Sequence, residues 1–281
     1  MYILMIYWQK NKRKERKNNM AALKKYHENE IKRYLGHLTQ EPYFHHKPSN
    51  SEINMSLHNL NKNMIPDRGN TKKEIFEYYQ KRKNELYAIN RKDTLTGFEW
   101  VITAPDGLTE SQEMQFFNVS LDFLKETYGE ENIITCFLHA NEGIRDENNN
   151  LIYGHKHIHT MIIPVTKITK EKPAYKNYTH KICYRDVINT AHLMQWHHRF
   201  QSYCDAHLPF KAQVYKGGIT RANSKDVKLQ KAETKYELEH QKVLGLENEI
   251  TKLREKIAEI ELNKTNSWGN NATWGEYTYG G

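Results

Sequence analysis

The stretch "NIITCFLHANEGIRDENNNLIYGHKHIHTMIIP", residues 132–164, decides the fold. It begins and ends in apolar runs of strand length with a polar turn around "DENNN" between them. It therefore reads as two strands that pair as a hairpin with a long loop. His155, His157 and His159 fall at every second position, which on a strand is one face. Residues i and i+2 have Cα atoms ~6.6 Å apart and can converge on one ion at ~2.1 Å per nitrogen. Residues i and i+4 stand ~13 Å apart, too far to share it. The intervening residues choose the pair: Ile158 can sit against helices on the opposite face, whereas Lys156 would have to stay in water. His157 and His159 are thus the expected ligands, with His155 as a neighbour. If the strands pair, His139 and Glu142 complete a His₃ or His₃-Glu set at one end of a sheet. An imidazole and carboxylate shell without cysteine, with open positions, suits catalysis better than a structural role. The alternative is a row of half-exposed histidines on a polar strand face.

Outward from this hairpin, "GFEWVITAP" reads as a strand ended by a Pro-Asp-Gly turn. "LTESQEMQFFNVSLDFLKETYG" is a helix, with Thr109 and Gln112 spaced as a capping box and Gly129 as its stop. "YRDVINTAHLMQWHHRFQSYCDAHL" is a further amphipathic helix, and "KKEIFEYYQKRKNELYAI" another, with Ile75, Tyr78, Tyr79 and Leu86 near one face. Residues 36–70 are irregular, broken by Pro42, Pro48, Asn50, Pro66 and Gly69. "NMAALKKYHENEIKRY" favours helix, because Ala21, Ala22, Leu23 and Lys24 are good formers. "MYILMIYW" suits a short strand. The order strand, helix, strand, helix, strand, strand, helix predicts an α+β fold: an antiparallel sheet with packed helices.

From about residue 225 the pattern changes. Leu229, Ala232, Tyr236, Glu239, Val243, Leu246, Ile250, Leu253, Ile257 and Ile260 alternate spacings of three and four, with Glu239 as the polar break. That is heptad spacing, for a coiled coil or a long packed helix. "NSWGNNATWGEYTYGG" is low in complexity. The expected division is a globular domain at 1–222, a coiled-coil helix at 223–264 and a disordered tail at 265–281.

The net charge of +8 and pI near 9.1 point to a polyanionic partner, nucleic acid before a membrane surface. A hydrophobic fraction of 38% and mean hydropathy of -0.88 imply that part of the length is not globular core. Cys136, Cys183 and Cys204 lack CxxC spacing, which argues against a disulfide framework or a cysteine zinc site and for a reducing compartment. The apolar start is too short for a signal segment or for a span of ~20 residues. A cytoplasmic protein is expected.

"FLHANEGIRDENNNLIYGHKHIHTMIIPVT" resembles the metal motif of the Mob/Pre plasmid mobilisation and recombination proteins, the MobV relaxases: a histidine, an acidic residue shortly after it, then a His-x-His strand ending in apolar residues and Pro. His139, Glu142, His157 and His159 match it, with Pro164 in register. "RKDTLTGFEWVIT" is similar to the family's strand and its basic lead-in, and the similarity runs from about residue 1 to 220. The resemblance implies an HUH endonuclease fold and a bacterial, plasmid-encoded enzyme dependent on Mn²⁺ or Mg²⁺. It implies a nick in one strand of single-stranded or hairpin DNA at a plasmid transfer origin, after which the 5′-phosphate becomes attached to a protein nucleophile. Glu142 is then both ligand and catalytic carboxylate. A second copy joined through the coiled coil and a coupling protein of the transfer machinery are the implied protein partners.

The family's nucleophile is an N-terminal histidine in an His-Asn-x-Arg motif. "KKYHENEIKR" proposes His27, with Asn29 and Arg33 nearby, and Asn59–Leu60 stands where the family has an Asn-Tyr pair. Rolling-circle replication initiators, also HUH proteins, carry a tyrosine after the metal strand, where this chain has Tyr203; Tyr26 is a third choice. DNA contacts are expected from Lys10, Lys12, Arg13, Lys14, Arg33, Asn59, Arg91 and Lys92. "KRYLGH" and Lys72, Lys73, Lys81, Arg82 and Lys83 add to that basic surface, and Tyr78, Tyr79 and Tyr87 either stack bases or fill core. A non-catalytic DNA-binding protein with a structural ion is the reading from another class.

Overall fold

The computed structural model describes residues 21–269 apart from 47, 49–52, 90, 146–150, 154 and 216–226. The apolar start, the basic run with Lys10, Lys12, Arg13 and Lys14, and the tail beyond Gly269 lie outside the described residues. The chain divides into two compact units, residues 1–224 and 225–281.

In the first unit the strands are β1 (Ala21–His27), β2 (Lys62–Asn63), β3 (Leu95–Thr103), β4 (Ile133–His139), β5 (Ile144–Arg145), β6 (Leu151–Tyr153), β7 (His157–Ile162), β8 (Val165–Lys167) and β9 (His180–Ile182). The helices are α1 (Glu28–Thr39), α2 (Lys72–Asn84), α3 (Glu110–Tyr128), α4 (Tyr184–Val187) and α5 (Thr190–His207), and the second unit holds α6 (Val227–Gly269). Strands β1-β3-β7-β4-β2, in that order, form an antiparallel sheet. As the sequence predicts, β4 and β7 pair across the long loop, which itself carries the small β5–β6 ladder.

Register sorts the side chains by face. His139 lies opposite His157, Phe137 opposite His159, Val101 opposite His159, and Glu99 opposite both Met161 and Lys24. Directly opposed residues share a face, so the three histidines, Glu99, Phe137 and Met161 project to one side. There Ile31, Leu35 and Leu38 of α1 and Ile75 and Tyr79 of α2 cover them. Gly97 lets α1 approach: a Cβ there would lie 3.0 Å from Ile31 Cδ1 and 3.3 Å from Met161 Sδ. The other face buries Phe98, Trp100, Ile102 and Ile158 against α3 and α5, including Phe116, Phe123, Trp196 and Phe200. Trp100 and Trp196 stack with ring centroids 3.7 Å apart, and both indole N–H groups donate to Tyr128 Oη.

The capping box expected for α3 is present: Thr109 Oγ1 accepts from Gln112 N, and Gln112 Oε1 from Thr109 N. Gly129, at φ +88°, ends that helix. Two expectations are overturned. Ala21–His27 is a strand rather than the start of a helix: helix propensity is worth a fraction of a kcal/mol per residue, and pairing along β3 with burial of Ala21 and Tyr26 outweighs it. Helix begins only at Glu28, where Glu30 accepts from the His27 N–H at 2.8 Å. The helix expected over 184–208 is interrupted, because Asn189 caps α5 by accepting from His192 N and so separates it from the short α4. Lys156 is also not left to water: Glu110 and Glu113 hold its ammonium at 3.0 Å each.

Candidate metal centre

The site forms where β4 ends, β7 begins and the last turn of α1 crosses above them. His159 is the most constrained member. Its Nδ1 donates to buried Glu99, which also accepts from Tyr34 Oη at 2.5 Å and Tyr26 Oη at 2.9 Å. That bond leaves Nε2 as a lone pair, and Nε2 is buried with no hydrogen-bond partner among the described residues. His139 donates Nε2–H to Leu38 O at 2.8 Å, so Nδ1 presents its lone pair to Glu142 Oε1, also at 2.8 Å. Two lone pairs that close require a shared cation, either a proton or a metal ion. His157 donates Nδ1–H to His155 O at 2.8 Å and turns Nε2 toward Glu142 Oε2, 3.8 Å away.

A fifth group arrives from α1. His37, His139, Glu142 and His159 each bring a ligand atom within 4.8 Å of the others. The His37 ring lies 5.5 Å from His159 and 5.8 Å from His139 by centroid, with Nδ1 3.4 Å from Tyr43 Oη. Burial, and then the neighbouring imidazoles, hold the His159 pKa well below the usual range. Burial likewise lowers those of His37 and His157, partly offset by Glu142. Burial alone would raise the Glu142 pKa, but the bond from His139 and the surrounding imidazoles hold it well below the usual carboxylate range. Neutral imidazoles around an ionised carboxylate, one with an orphaned nitrogen, fit a divalent ion that accepts mixed N and O donors.

An amide network fixes Glu142 from behind. Gln40, in the left-handed region at φ +55°, donates Nε2 to Glu142 Oε1 at 3.1 Å and to Asn141 Oδ1 at 3.2 Å. Asn61 donates to Gln40 Oε1 and Asn141 Oδ1, and its own Oδ1 accepts from the backbone N–H groups of Ala140 and Asn141.

The structure thus brings His139, Glu142, His157 and His159 together, with His155 half-exposed beside Asp106. It does not bring His27 there. His27 pairs with Leu95 and His159 with Val101, six residues along β3, or ~20 Å. Tyr203 lies on the opposite side of the sheet, where burial and a 2.6 Å bond to Glu126 push its pKa up to about 12. Tyr26 is spent on Glu99. Asn59 is exposed; the amide that engages the site is Asn61, two residues on. Arg33, Arg91 and Lys92 are exposed, Arg91 pairing with Asp93. Arg82 is tied to Asn132 and Glu85, Lys83 to Glu28, and Tyr79 is core. The sequence reading missed His37, Glu99, Gln40, Asn61 and Asn141. Glu99 alone carried a signal, as a carboxylate inside an apolar strand that needs a buried partner.

The Mob_Pre family, described as plasmid recombination enzyme, matches residues 15–224. A plasmid recombination enzyme of Lactiplantibacillus plantarum is 30% identical over 99 residues, covering 34% of this chain and 27% of the relative. The match therefore spans about a quarter of that relative's length. The Mn-bound crystal structure of the MobM relaxase domain (MOBV; Mob_Pre) with plasmid pMV158 oriT DNA, at pH 6.8, superposes with a TM-score of 0.55 at 22% identity, covering 74% of this chain and 94% of that one. A second Mn-bound MobM complex, at pH 4.6, gives 0.53 at 23%, covering 74% and 95%. The sheet and its packed helices share the fold of that domain. With the family matched over 15–224, the greater part of its length, this chain belongs to the Mob/Pre family of plasmid recombination enzymes.

Proposed function

We propose that the chain is a metal-dependent relaxase that nicks and rejoins one DNA strand at a plasmid transfer origin through a covalent protein–DNA intermediate. The observation that carries this is the orphaned Nε2 of His159, aimed at His37, His139 and Glu142. MobM binds Mn and oriT DNA in its crystal structures, which supports the same cofactor and substrate class here. His139, Glu142 and His159, with His157 beside Glu142, would hold Mn²⁺ or Mg²⁺. When bound, such an ion withdraws charge from a nonbridging phosphate oxygen.

The rest of the reaction belongs to the chain. Glu99 and Leu38 O orient two imidazoles, and the Gln40–Asn61–Asn141 network holds Glu142 toward them. His37 comes from a helix above the sheet and faces the same space as a neutral imidazole, so it takes the role of nucleophile that the sequence assigned to His27. Its attack on phosphorus forms a P–N bond to the 5′-phosphate and breaks the P–O3′ bond. The 3′-oxygen leaves as a hydroxyl with a proton from water, and the ring proton departs toward Tyr43 or solvent.

Single-stranded origin DNA with Mn²⁺, resolved on a denaturing gel, tests the reading. We expect a protein–DNA adduct that His37→Ala abolishes and His27→Ala and Tyr203→Phe retain. Loss with Tyr203→Phe alone would indicate the initiator chemistry, and no adduct with any divalent ion a non-catalytic binder. The 4.8 Å grouping also favours a second role for His37, as a fourth ligand. Mn²⁺ affinity decides this: a nucleophile's removal leaves it within a few-fold, whereas a ligand's removal lowers it sharply.

A further inference from the structure

Helix α6 carries a surface that nicking does not use. It runs for 43 residues, ~65 Å. Along it Val243, Leu246, Ile250, Leu253, Ile257 and Ile260 remain 48–59% exposed. They occupy consecutive a and d positions of a heptad. Val243, Ile250 and Ile257 are β-branched at a, and Leu246 and Leu253 stand at d, a combination that favours two parallel strands.

The flanking positions say which partner fits. The g positions are Lys242, Glu249 and Lys256, and the e positions are Glu247, Arg254 and Glu261. In a parallel, in-register pair each g residue lies beside the e residue of the partner's next heptad. This chain against itself gives Lys242 with Glu247, Glu249 with Arg254 and Lys256 with Glu261, opposite in sign in all three. Glu239, at the preceding d position, would meet its own copy and so bounds the seam on that side. We propose that residues 243–260 form a parallel, two-stranded coiled coil with a second copy of this chain.

The full chain in sedimentation equilibrium tests the partner. We expect twice the 33.4 kDa protomer mass, falling toward one on dilution, and a monomer for Leu253→Asp. A monomer at every concentration, or a trimer, would overturn the proposal. Glu249→Lys should weaken association roughly tenfold, and adding Arg254→Glu should restore it; no change in either overturns the register. Orientation is read by Ile260→Cys in a Cys183→Ser background, which should oxidise to a disulfide-linked dimer. Cross-linking only when Ile260→Cys chains are mixed with Val243→Cys chains would show antiparallel strands and sink the arrangement.

Discussion

Glu99 decides which nitrogen of His159 faces the site. A carboxylate buried to 0% exposure is costly unless its lone pairs are filled, and here two phenols and an imidazole fill them. Burial, with Glu99 next, raises the pKa of both Tyr26 and Tyr34, so the phenols remain donors. Replacing Glu99 with Gln keeps the shape but offers His159 an acceptor that can flip to a donor, releasing the tautomer. Such outer partners are typically worth 10–100-fold in metal affinity. Glu99→Gln should therefore weaken Mn²⁺ binding by roughly that factor in titration calorimetry; an unchanged affinity would remove Glu99 from the site. At this scale the sequence was legible where spacing alone speaks. His157 and His159 flanking Ile158, buried on the other face, follow from the period of two. His37 does not: no local pattern brings the end of α1 over the sheet, and only three-dimensional packing of Ile31, Leu35 and Leu38 does so.

Elements hold the centre by their junctions more than by their lengths. The turn after α1 is set by Gln40 at positive φ, a conformation with a cost for a residue with a Cβ, and the amides of Asn61 and Asn141 hold it there. Asn61→Ala removes an acceptor for two backbone N–H groups at the end of β4 and a donor to Gln40. With each such buried loss worth about 1–3 kcal/mol, urea unfolding should show a destabilisation of about 2–4 kcal/mol, with Mn²⁺ affinity falling in parallel because Glu142 loses its support. Stability that drops while affinity holds would show the network to be only structural. Gly97→Val acts from the other end of the same contact. Its side chain would collide with Ile31 and Met161, lift α1, and lower adduct formation through His37 more than metal binding through the sheet. Elements with a strong period, such as β3, β4, β7 and α3, were legible in the sequence. β1 was not, because its alanines and lysines favour helix locally and only the partner strand makes it a strand.

Across the whole first unit, buried histidines couple stability to pH on both faces of the sheet. On the metal side His37, His157 and His159 have lowered pKa values, chiefly through burial. On the far side the same cause lowers those of His192, beside Tyr128, and His197, whose Nε2 has no hydrogen-bond partner among the described residues. The unfolded chain takes up protons on all five near pH 6.5, whereas the folded chain resists. More protons bound to the unfolded state means that stability rises with pH. The metal-free protein should hold full stability above about pH 6.5 and lose it as pH falls below. Glu142 adds a loss only below its ordinary value of 4.5, outside that window. Thermal unfolding in chelator should then show a lower melting temperature at pH 5.5 than at pH 7.5. Mn²⁺ should raise it more at pH 7.5, because ion and protons compete for the same nitrogens. His192→Gln with His197→Gln should flatten the chelated profile in part and leave the Mn²⁺-dependent increment intact. A chelated profile flat from 7.5 to 5.5 would mean that these rings are already protonated in the fold, and that the lone pair assigned to His159 Nε2 is not free for a metal.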